Sequence, residues 1–230
     1  MNKNRNKHIN TIYNSQKRQR MDPKIFFTTA IATILFLTSC SEIKVKFESD
    51  NFEPINNINI TIDEKSENTV TLDAKPEGGI ALLKNVNFDE GIINLELKGE
   101  NKPGGSFVGI AFNIQNDSTY ECVYFRPFNF KSKEKKYNAI QYISQPKHKW
   151  HILRKNFKGR YEANYPKSPP ADDWFAITLK IDDKKIALYD KKTTIRLLII
   201  DRLQKQVSNK IGLWTGNNSK GEFKNMSRMK

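Results

Sequence analysis

Short runs of β-favouring residues recur along most of the chain, and turn residues separate them. The pattern is clearest in Ile177–Ile181, where three apolar side chains alternate with Thr178 and Lys180. A period of two is expected when one face of a sheet is buried and the other faces water. So many runs without a convincing amphipathic helix predict an all-β fold, either a sandwich or a barrel. The runs predicted as strands are Ile58–Ile62, Thr69–Leu72, Ile92–Leu97, Phe107–Ile114, Tyr120–Phe125, Ala139–Ile143, Phe175–Ile181, Lys185–Tyr189, Ile195–Ile200 and Lys210–Trp214.

Short polar segments predict how neighbouring strands are connected. Asn116–Ser118 and Asp182–Lys184 each lie between two β-favouring runs and consist largely of residues that favour turns. We therefore expect an antiparallel hairpin at each of them. Glycine and proline cluster at Gly78–Gly79, Pro103–Gly105 and Pro166–Pro170, between the runs rather than inside them, which predicts loops.

The start of the chain carries a different pattern, a single apolar stretch. Ile25–Leu37 is a 13-residue run interrupted only by threonine. Basic residues precede it and Cys40 follows it, which is the order found in signal peptides. The run is shorter than the ~20 residues that a membrane-spanning helix needs. Residues 1–39 are therefore predicted to be a basic extension and a signal peptide, and a start at Met21 would give a leader of common length.

The segment Leu37-Thr38-Ser39-Cys40 resembles the lipobox of bacterial lipoproteins, in which the cysteine is acylated and becomes the mature N-terminus. The resemblance implies that Cys40 carries a lipid. It also implies a location in the bacterial cell envelope, anchored outside the cytoplasmic membrane on the periplasmic face or the cell surface. The alternative is an ordinary secretory signal with a cysteine near its cleavage site. We expect residues 40–57 to be the lipidated N-terminus with a tether or first edge strand.

Residues 58–230 are expected to form one β-sandwich domain. Hydrophobic side chains make up 37% of the chain and aromatic ones 11%, enough for a sizeable core. The net charge of +14 would ordinarily raise nucleic acid as a partner. Residues 1–39 hold seven basic and one acidic groups, so the chain from Cys40 onward keeps +8. These remaining basic residues are scattered along the sequence, and we predict no nucleic-acid binding.

The sequence lacks the motifs of thiol catalysis, metal binding and nucleotide-cofactor binding. Cys122 lies within a predicted strand, where a free thiol behaves as a small hydrophobe, and no nucleophile motif accompanies it. His148 and His151 are three residues apart, but no third ligand has suitable spacing, so no metal is expected. The sequence contains no phosphate-binding glycine loop and no dinucleotide fingerprint. We therefore expect no cofactor.

Three segments carry a resemblance to a known fold family. Ser106–Phe112, Tyr120–Phe130 and Lys210–Met226 resemble bacterial proteins with concanavalin A-like lectin/glucanase jelly rolls, including laminin G-like and 3-keto-disaccharide hydrolase-like domains. The resemblance spans Ile80–Met226. It implies a two-sheet antiparallel jelly-roll sandwich with one curved sheet, and a carbohydrate bound on the concave face. It does not decide between binding and catalysis, because one architecture hosts many functions.

Two acids are candidates for catalysis if the protein is a glycan-directed hydrolase. Glu121 lies in the predicted central strand, and Glu162 lies in Gly159–Tyr165. Most glycoside hydrolases need two carboxyl groups that flank the scissile bond. The Glu-x-Asp-x-x-Glu run of family 16 glycoside hydrolases is absent. Strand alternation also places Glu121 and Arg126 on opposite faces unless a bulge intervenes.

The candidates for ligand binding begin with Arg126 and Asn129. A guanidinium group presents a planar fork of donors to sugar hydroxyls or to a carboxylate, and Asn129 adds hydrogen bonds. The alternative role for Arg126 is a salt bridge that holds the loop after its strand. The further candidates are neighbouring polar residues and aromatic rings that can stack on a sugar, namely Gln141, Tyr142, Trp150 and Trp174. Trp214 is expected in the core.

Three functions follow as hypotheses. The first is a lipid-anchored module that binds or processes a carbohydrate. The second is a non-catalytic laminin G-like module that binds protein or acts in adhesion. The third is an active hydrolase that uses Glu162 or Glu121 with a second acid. Exposed aromatic rings with polar donors favour a glycan, whereas a flat apolar patch favours a protein partner.

Overall fold

We analysed a computed structural model, which describes residues 41–63, 65 and 68–230. The predicted signal peptide and the predicted lipidation site Cys40 lie outside these residues. In the described part of the chain, no helix is long and apolar enough to span a membrane.

The described residues form fifteen strands, one short α-helix and three 3₁₀ turns. In chain order, the strands and the helix are β1 (Ile43–Lys44), β2 (Phe52–Ile55), β3 (Ile60–Asp63), β4 (Thr69–Leu72), β5 (Gly79–Asn87), β6 (Gly91–Lys98), β7 (Val108–Phe112), β8 (Glu121–Phe125), β9 (Ile140–Ser144), α1 (Trp150–Asn156), β10 (Glu162–Ala163), β11 (Phe175–Ile181), β12 (Lys185–Asp190), β13 (Arg196–Asp201), β14 (Lys210–Thr215) and β15 (Gly221–Met229). The 3₁₀ turns are Ser49–Asn51, Pro127–Asn129 and Lys136–Asn138.

These strands form two antiparallel sheets that pack face to face. The eight-stranded sheet has the order β13-β12-β11-β6-β15-β4-β3, and β1 also pairs with β15. The seven-stranded sheet has the order β10-β9-β8-β7-β14-β5-β2. Many neighbours in each sheet are far apart in sequence, because the chain crosses repeatedly between the sheets. The predicted two-sheet antiparallel sandwich is confirmed.

Each of the predicted strands lies within a residue or two of an observed one. The two predicted hairpins are also present, since β7 pairs with β8 and β11 pairs with β12. In the second hairpin, the Asp182 carboxylate accepts hydrogen bonds from the backbone N–H groups of Lys184 and Lys185 at 2.8 and 2.6 Å. Side-chain caps of this kind explain why the turn is visible in the sequence.

Several features differ from the predicted strands, and the runs listed from the sequence do not cover the long strand β15 or the two-residue strand β10. Gly79, predicted to lie in a loop, begins β5, a strand buried along most of its length whose continuous apolar run lacks alternation. The helix α1 was not predicted, because its seven residues are too few to show a helical period. For residues 41–57, where a tether or a first edge strand was expected, the structure shows the edge strand, because β1 and β2 pair with β15 and β5.

Aromatic packing identifies which face of the seven-stranded sheet is the inner one. Phe125 in β8 meets Phe175 in β11 of the other sheet, with ring centroids 4.9 Å apart. Val123 is fully buried on the same face as Phe125. Successive side chains point to opposite faces of a strand, so Tyr124 belongs to the outer face. In agreement with the predicted alternation, Glu121 contacts Arg202 of the other sheet, whereas Tyr124 contacts Arg126.

A buried ion pair joins the two sheets. Arg202 directly follows β13 of the eight-stranded sheet, and its side chain reaches Glu121 in β8 of the seven-stranded sheet. The Glu121 carboxylate also accepts hydrogen bonds from Tyr142 Oη at 2.6 Å and from Asn113 Nδ2 at 2.8 Å. The side chains of Glu121 and Arg202 are 0% and 1% exposed. Two charges this deeply buried are tolerated only when each has its full set of partners.

The burial of this ion pair leads to a prediction about the free energy of unfolding. Glu121→Gln keeps the shape of the side chain but leaves the buried guanidinium of Arg202 without its counter-charge. We expect the free energy of unfolding, measured by urea denaturation, to fall by about 3–5 kcal/mol. Replacing both partners, with Glu121→Leu and Arg202→Met, is expected to restore part of this loss because no uncompensated charge remains.

The exposed carboxylate of Asp201 provides the control. It contacts Arg160 at 2.8 Å and Lys185 at 3.2 Å, and all three side chains are more than half exposed. Asp201→Asn should therefore change the free energy of unfolding by less than about 1 kcal/mol. A Glu121→Gln variant as stable as Asp201→Asn would contradict the assigned role of the buried pair.

Candidate functional site

The outer face of the seven-stranded sheet carries a cleft of about 770 Å³, which we call the outer cleft. Six aromatic side chains line it, namely Phe107, Tyr120, Tyr124, Phe128, Trp150 and Trp214. Its charged lining consists of Arg126, Arg154, Lys135, Glu77 and Glu134. Aromatic surface combined with a few polar groups is typical of a ligand-binding cleft.

A cross-strand row of residues builds the floor of the outer cleft. Gly109 in β7 pairs with Trp214 on one side and with Tyr124 on the other. A Cβ atom at Gly109 would lie 2.3 Å from the carbonyl oxygen of Val123 and 2.6 Å from Tyr124 Cβ. The glycine thus lets the two flanking rings approach over its backbone, and their centroids are 5.0 Å apart.

The two tyrosines of this floor remain protonated at neutral pH. Burial raises the pKa of Tyr120 and of Tyr124 to about 12. The hydroxyl of Tyr120 accepts a hydrogen bond from Trp214 Nε1 at 3.2 Å, and the hydroxyl of Tyr124 accepts one from Arg126. Because each phenol keeps its proton, each can also donate a hydrogen bond to a ligand.

Arg126 lies directly after β8 and is only 5% exposed. Its Nη1 donates to the carbonyl of Asn138 at 3.1 Å, and its Cζ lies 4.8 Å from the ring centroid of Tyr124. Within the described residues, no carboxylate comes within 4.0 Å of it. The proposed salt bridge is therefore absent, and Arg126 holds its loop through a backbone carbonyl instead. Burial lowers the pKa of Arg126 to about 10, so the group is cationic at pH 7.

The helix α1 contributes a second arginine and an exposed indole. Leu153 is fully buried and holds the helix on the domain, whereas Trp150 at its start is 47% exposed. Arg154 Nε donates to Gln141 Oε1 at 3.1 Å, and its Cζ lies 5.1 Å from the centroid of Trp150. The Nη2 atom of Arg154 is buried and has no hydrogen-bond partner.

The structure brings only some of the predicted ligand-binding residues to the outer cleft. Arg126, Asn129 and Trp150 line it. Gln141 lies beneath them, fully buried, and orients Arg154.

The other two predicted ligand contacts lie elsewhere. Tyr142 faces the interior, where its hydroxyl meets Glu121. Trp174 lies just before β11 of the other sheet, with Lys98 Nζ 5.9 Å from its ring centroid. Trp214 is 8% exposed and belongs to the buried hydrophobic cluster, as expected, and one side of its ring also lines the cleft.

The two predicted catalytic acids lie on opposite faces of one sheet. Glu121 is on the inner face and is enclosed by Arg202 and its neighbours. Glu162 in β10 pairs with Gln141, which pairs with Tyr124, so it continues the outer-face row. Glu162 is 7% exposed, its Oε1 accepts from the backbone N–H of Gly159 at 3.0 Å, and its Oε2 is buried without a partner. These two carboxyl groups therefore cannot act together on one ligand.

Sequence reasoning missed several residues of the cleft. Tyr120 and Tyr124 share the face of Arg126 by strand alternation, so the sequence did contain a signal for them. Arg154 had none, because it enters the cleft from a helix too short to recognise. In the described part of the chain, no group of three or more His, Cys, Asp or Glu side chains could hold a metal ion.

Comparison with solved structures finds several proteins that share this fold at low sequence identity. The carbohydrate-binding module CBM66 from Bacillus subtilis has a TM-score of 0.55 at 7% identity, covering 78% of this chain and 96% of its own. The kappa-carrageenase from Pseudoalteromonas carrageenovora, solved with an oligotetrasaccharide, has a TM-score of 0.55 at 12% identity, covering 86% and 98%. The exoplasmic domain of VIP36, solved with Ca²⁺ and Man3GlcNAc, has a TM-score of 0.55 at 10% identity, covering 81% and 86%.

These likenesses show a concanavalin A-like, glucanase-type jelly roll. No protein-family model matches the sequence, and no curated protein is similar to it. At such low identity, the shared property is the fold, and residue roles are argued from this chain alone.

The close approach of β8 to Gly109 leads to a prediction about the packing of the cleft floor. Gly109→Ala places a methyl group against the backbone of β8, so the strands or the Tyr124 ring must shift. We expect a loss of about 1–3 kcal/mol in the free energy of unfolding, together with a changed near-ultraviolet circular dichroism spectrum. Gly104→Ala is the control for the spectrum alone: no heavy atom lies within 4 Å of a Cβ there, but its φ of +78° makes alanine costly for stability. Wild-type stability and spectrum for Gly109→Ala would refute the close packing.

Proposed function

We propose that this chain is an exported lipoprotein whose jelly-roll domain binds a carbohydrate in the outer cleft. The observation that carries the proposal is the cluster of aromatic rings that lines one cleft together with Arg126 and Asn129. The apolar faces of sugar rings stack on aromatic side chains, and their hydroxyls need hydrogen-bond donors and acceptors between the rings. The exposed indole of Trp150 is the element best placed to stack on a sugar.

The size of the cleft and the structural neighbours support this proposal. A volume of about 770 Å³ lies within the 300–1,000 Å³ typical of ligand clefts. The neighbours described above include a carbohydrate-binding module and two proteins solved with oligosaccharides. A flat apolar patch, which would favour the protein-binding alternative, is not what lines this part of the sheet.

Binding without hydrolysis is the form of the proposal that the site supports. Glycosidases of the usual kind place two carboxyl groups about 5–9.5 Å apart on either side of the bond. Glu121 and Glu162 occupy opposite faces of the sheet and do not meet this requirement. Glu77 and Glu134 line the cleft, so their glutamine variants provide the test if any polysaccharide is cleaved.

The predicted lipid anchor would hold the domain near a membrane. The supporting pattern is the basic extension, the apolar run Ile25–Leu37 and Cys40. The strand β1 begins at Ile43, three residues beyond Cys40. Three extended residues span roughly 10 Å. A lipid on Cys40 would therefore place the sandwich close to the surface of the envelope membrane.

The stacking role of Trp150 is tested by truncation. A glycan array probed with the purified full chain in mild detergent first identifies a ligand. Trp150→Ala is then expected to weaken binding of that glycan about tenfold or more, measured by isothermal titration calorimetry. The melting temperature should change little, because the indole is half exposed.

Trp174→Ala is the matched control, since it removes an indole from the other sheet. Equal weakening by both variants would place the binding site elsewhere. Binding of protein partners, with no glycan bound on the array, would replace the proposal with the protein-binding alternative.

The anchor is tested separately by changing its acceptor. Cys40→Ser removes the thiol that would be acylated, so we expect the protein to move from the membrane fraction to the soluble fraction of the cell envelope. Immunoblots of the separated fractions measure the distribution. Cys122→Ser is the control, because Cys122 is a buried free thiol inside β8. Unchanged membrane association of Cys40→Ser would remove the lipoprotein assignment.

A further inference from the structure

The outer cleft contains two arginines that have no carboxylate partner among the residues that the structure describes. Arg126 and Arg154 both approach Trp150, with Cζ atoms 5.9 and 5.1 Å from its ring centroid. Neither guanidinium lies within 4.0 Å of a carboxylate in the described part of the chain. Burial is the main cause that lowers the pKa of Arg126, and the positive charge of Arg154 lowers it further. The lining carries three cations and two carboxylates, a net charge of +1, and neither arginine is neutralised by a direct ion pair among the described residues.

The hydrogen-bonding capacity of the pair is also incomplete. Gln141 Nε2 donates to the carbonyls of Tyr142 and Tyr161 at 3.0 and 3.1 Å, which fixes the amide oxygen that receives Arg154 Nε. Arg154 is thus held in one orientation, yet its buried Nη2 has no acceptor. A buried donor without a partner costs free energy, and a guanidinium donor more than a neutral one. An acceptor supplied by a ligand would remove this cost.

The acidic residues nearby do not fill this role. The charge of Glu162 raises the pKa of Arg126, but Glu162 makes no ion pair with either arginine among the described residues: its Oε1 accepts from Gly159 and its Oε2 has no hydrogen-bond partner. Glu77 and Glu134 line the cleft without an ion pair to either arginine. Lys135 adds a third cation to the lining. The local charge balance therefore favours a ligand that carries a negative group.

We propose that the outer cleft binds an acidic saccharide, with the anionic substituent held between Arg126 and Arg154 and a sugar ring stacked on Trp150. This inference rests on the proposed carbohydrate binding and adds the chemical class of the sugar. Two planar guanidinium groups donate charge-assisted hydrogen bonds to a carboxylate or a sulfate, and such bonds are stronger than bonds to a neutral hydroxyl. Carboxylate and sulfate groups both accept such bonds, and the experiment below shows which of the two the cleft prefers.

The test compares polysaccharides that differ only in charge. Purified full chain in mild detergent is titrated with polygalacturonate and its carboxyl-reduced form, and with kappa-carrageenan and its desulfated form. We expect at least one acidic polysaccharide to bind tenfold or more tightly than its neutral counterpart. The pair that shows the preference identifies the anion. Raising the salt concentration should reduce the preference, because mobile ions screen partly exposed charges.

Variants then assign the preference to the arginines. Arg154→Gln should reduce the preference for the acidic form, measured as the ratio of the dissociation constants of the neutral and acidic forms, about tenfold. Arg154→Lys keeps the charge but not the planar fork, so it should retain part of the preference. Lys133→Gln is the control for net charge, because Lys133 is exposed on a neighbouring loop and does not line the cleft. Melting temperatures confirm that the variants fold.

The outcomes distinguish this inference from the proposed function. Equal binding of acidic and neutral forms would overturn the inference and leave carbohydrate binding in place. A preference that persists unchanged in Arg154→Gln would also overturn it, because the anion would then be held elsewhere. Failure to bind any saccharide of either kind would remove the proposed function itself.

Discussion

The buried ion pair between Glu121 and Arg202 is the constraint on which the arrangement of this domain depends. It connects the central strand β8 of one sheet to the end of β13 in the other, with both charges removed from water. A strand alternates with a period of two, so holding Glu121 inside also decides the direction of every other side chain in β8. Val123 and Phe125 then complete the core. Tyr124 is directed outward, toward the cleft.

The outer face of the seven-stranded sheet carries the side chains of its strands that do not enter the core. Gly109 separates Tyr124 from Trp214 along the row, and the missing side chain allows their rings to meet above the backbone. The helix α1 then adds Trp150 and Arg154 from a segment outside the sheet. A rigid sheet thus supplies the aromatic floor, and a loop-borne element supplies the groups that would meet a ligand, an arrangement common among binding proteins.

The arginines of this domain show how the same side chain serves two purposes. Arg202 has a carboxylate, a neighbouring carbonyl and a glutamine as partners, so its charge and donors are used inside the fold. Arg126 and Arg154 have hydrogen-bond partners but no carboxylate within ion-pair distance in the described chain. A charge that the fold does not neutralise is available to a ligand, whereas a fully partnered one is structural. This distinction underlies the proposed preference for an acidic saccharide.

The sequence by itself determined the all-β class, most of the strands and both hairpins, because alternation and turn chemistry are local properties. Strand alternation also placed Glu121 and Arg126 on opposite faces. The strand β5, with its continuous apolar run, and the short helix α1 were not predicted, because neither shows a complete period in the sequence. Only the tertiary structure decided where each functional candidate lies and what it contacts. Glu121 meets Arg202 from 81 positions away, and no local pattern encodes a contact between residues so distant in sequence.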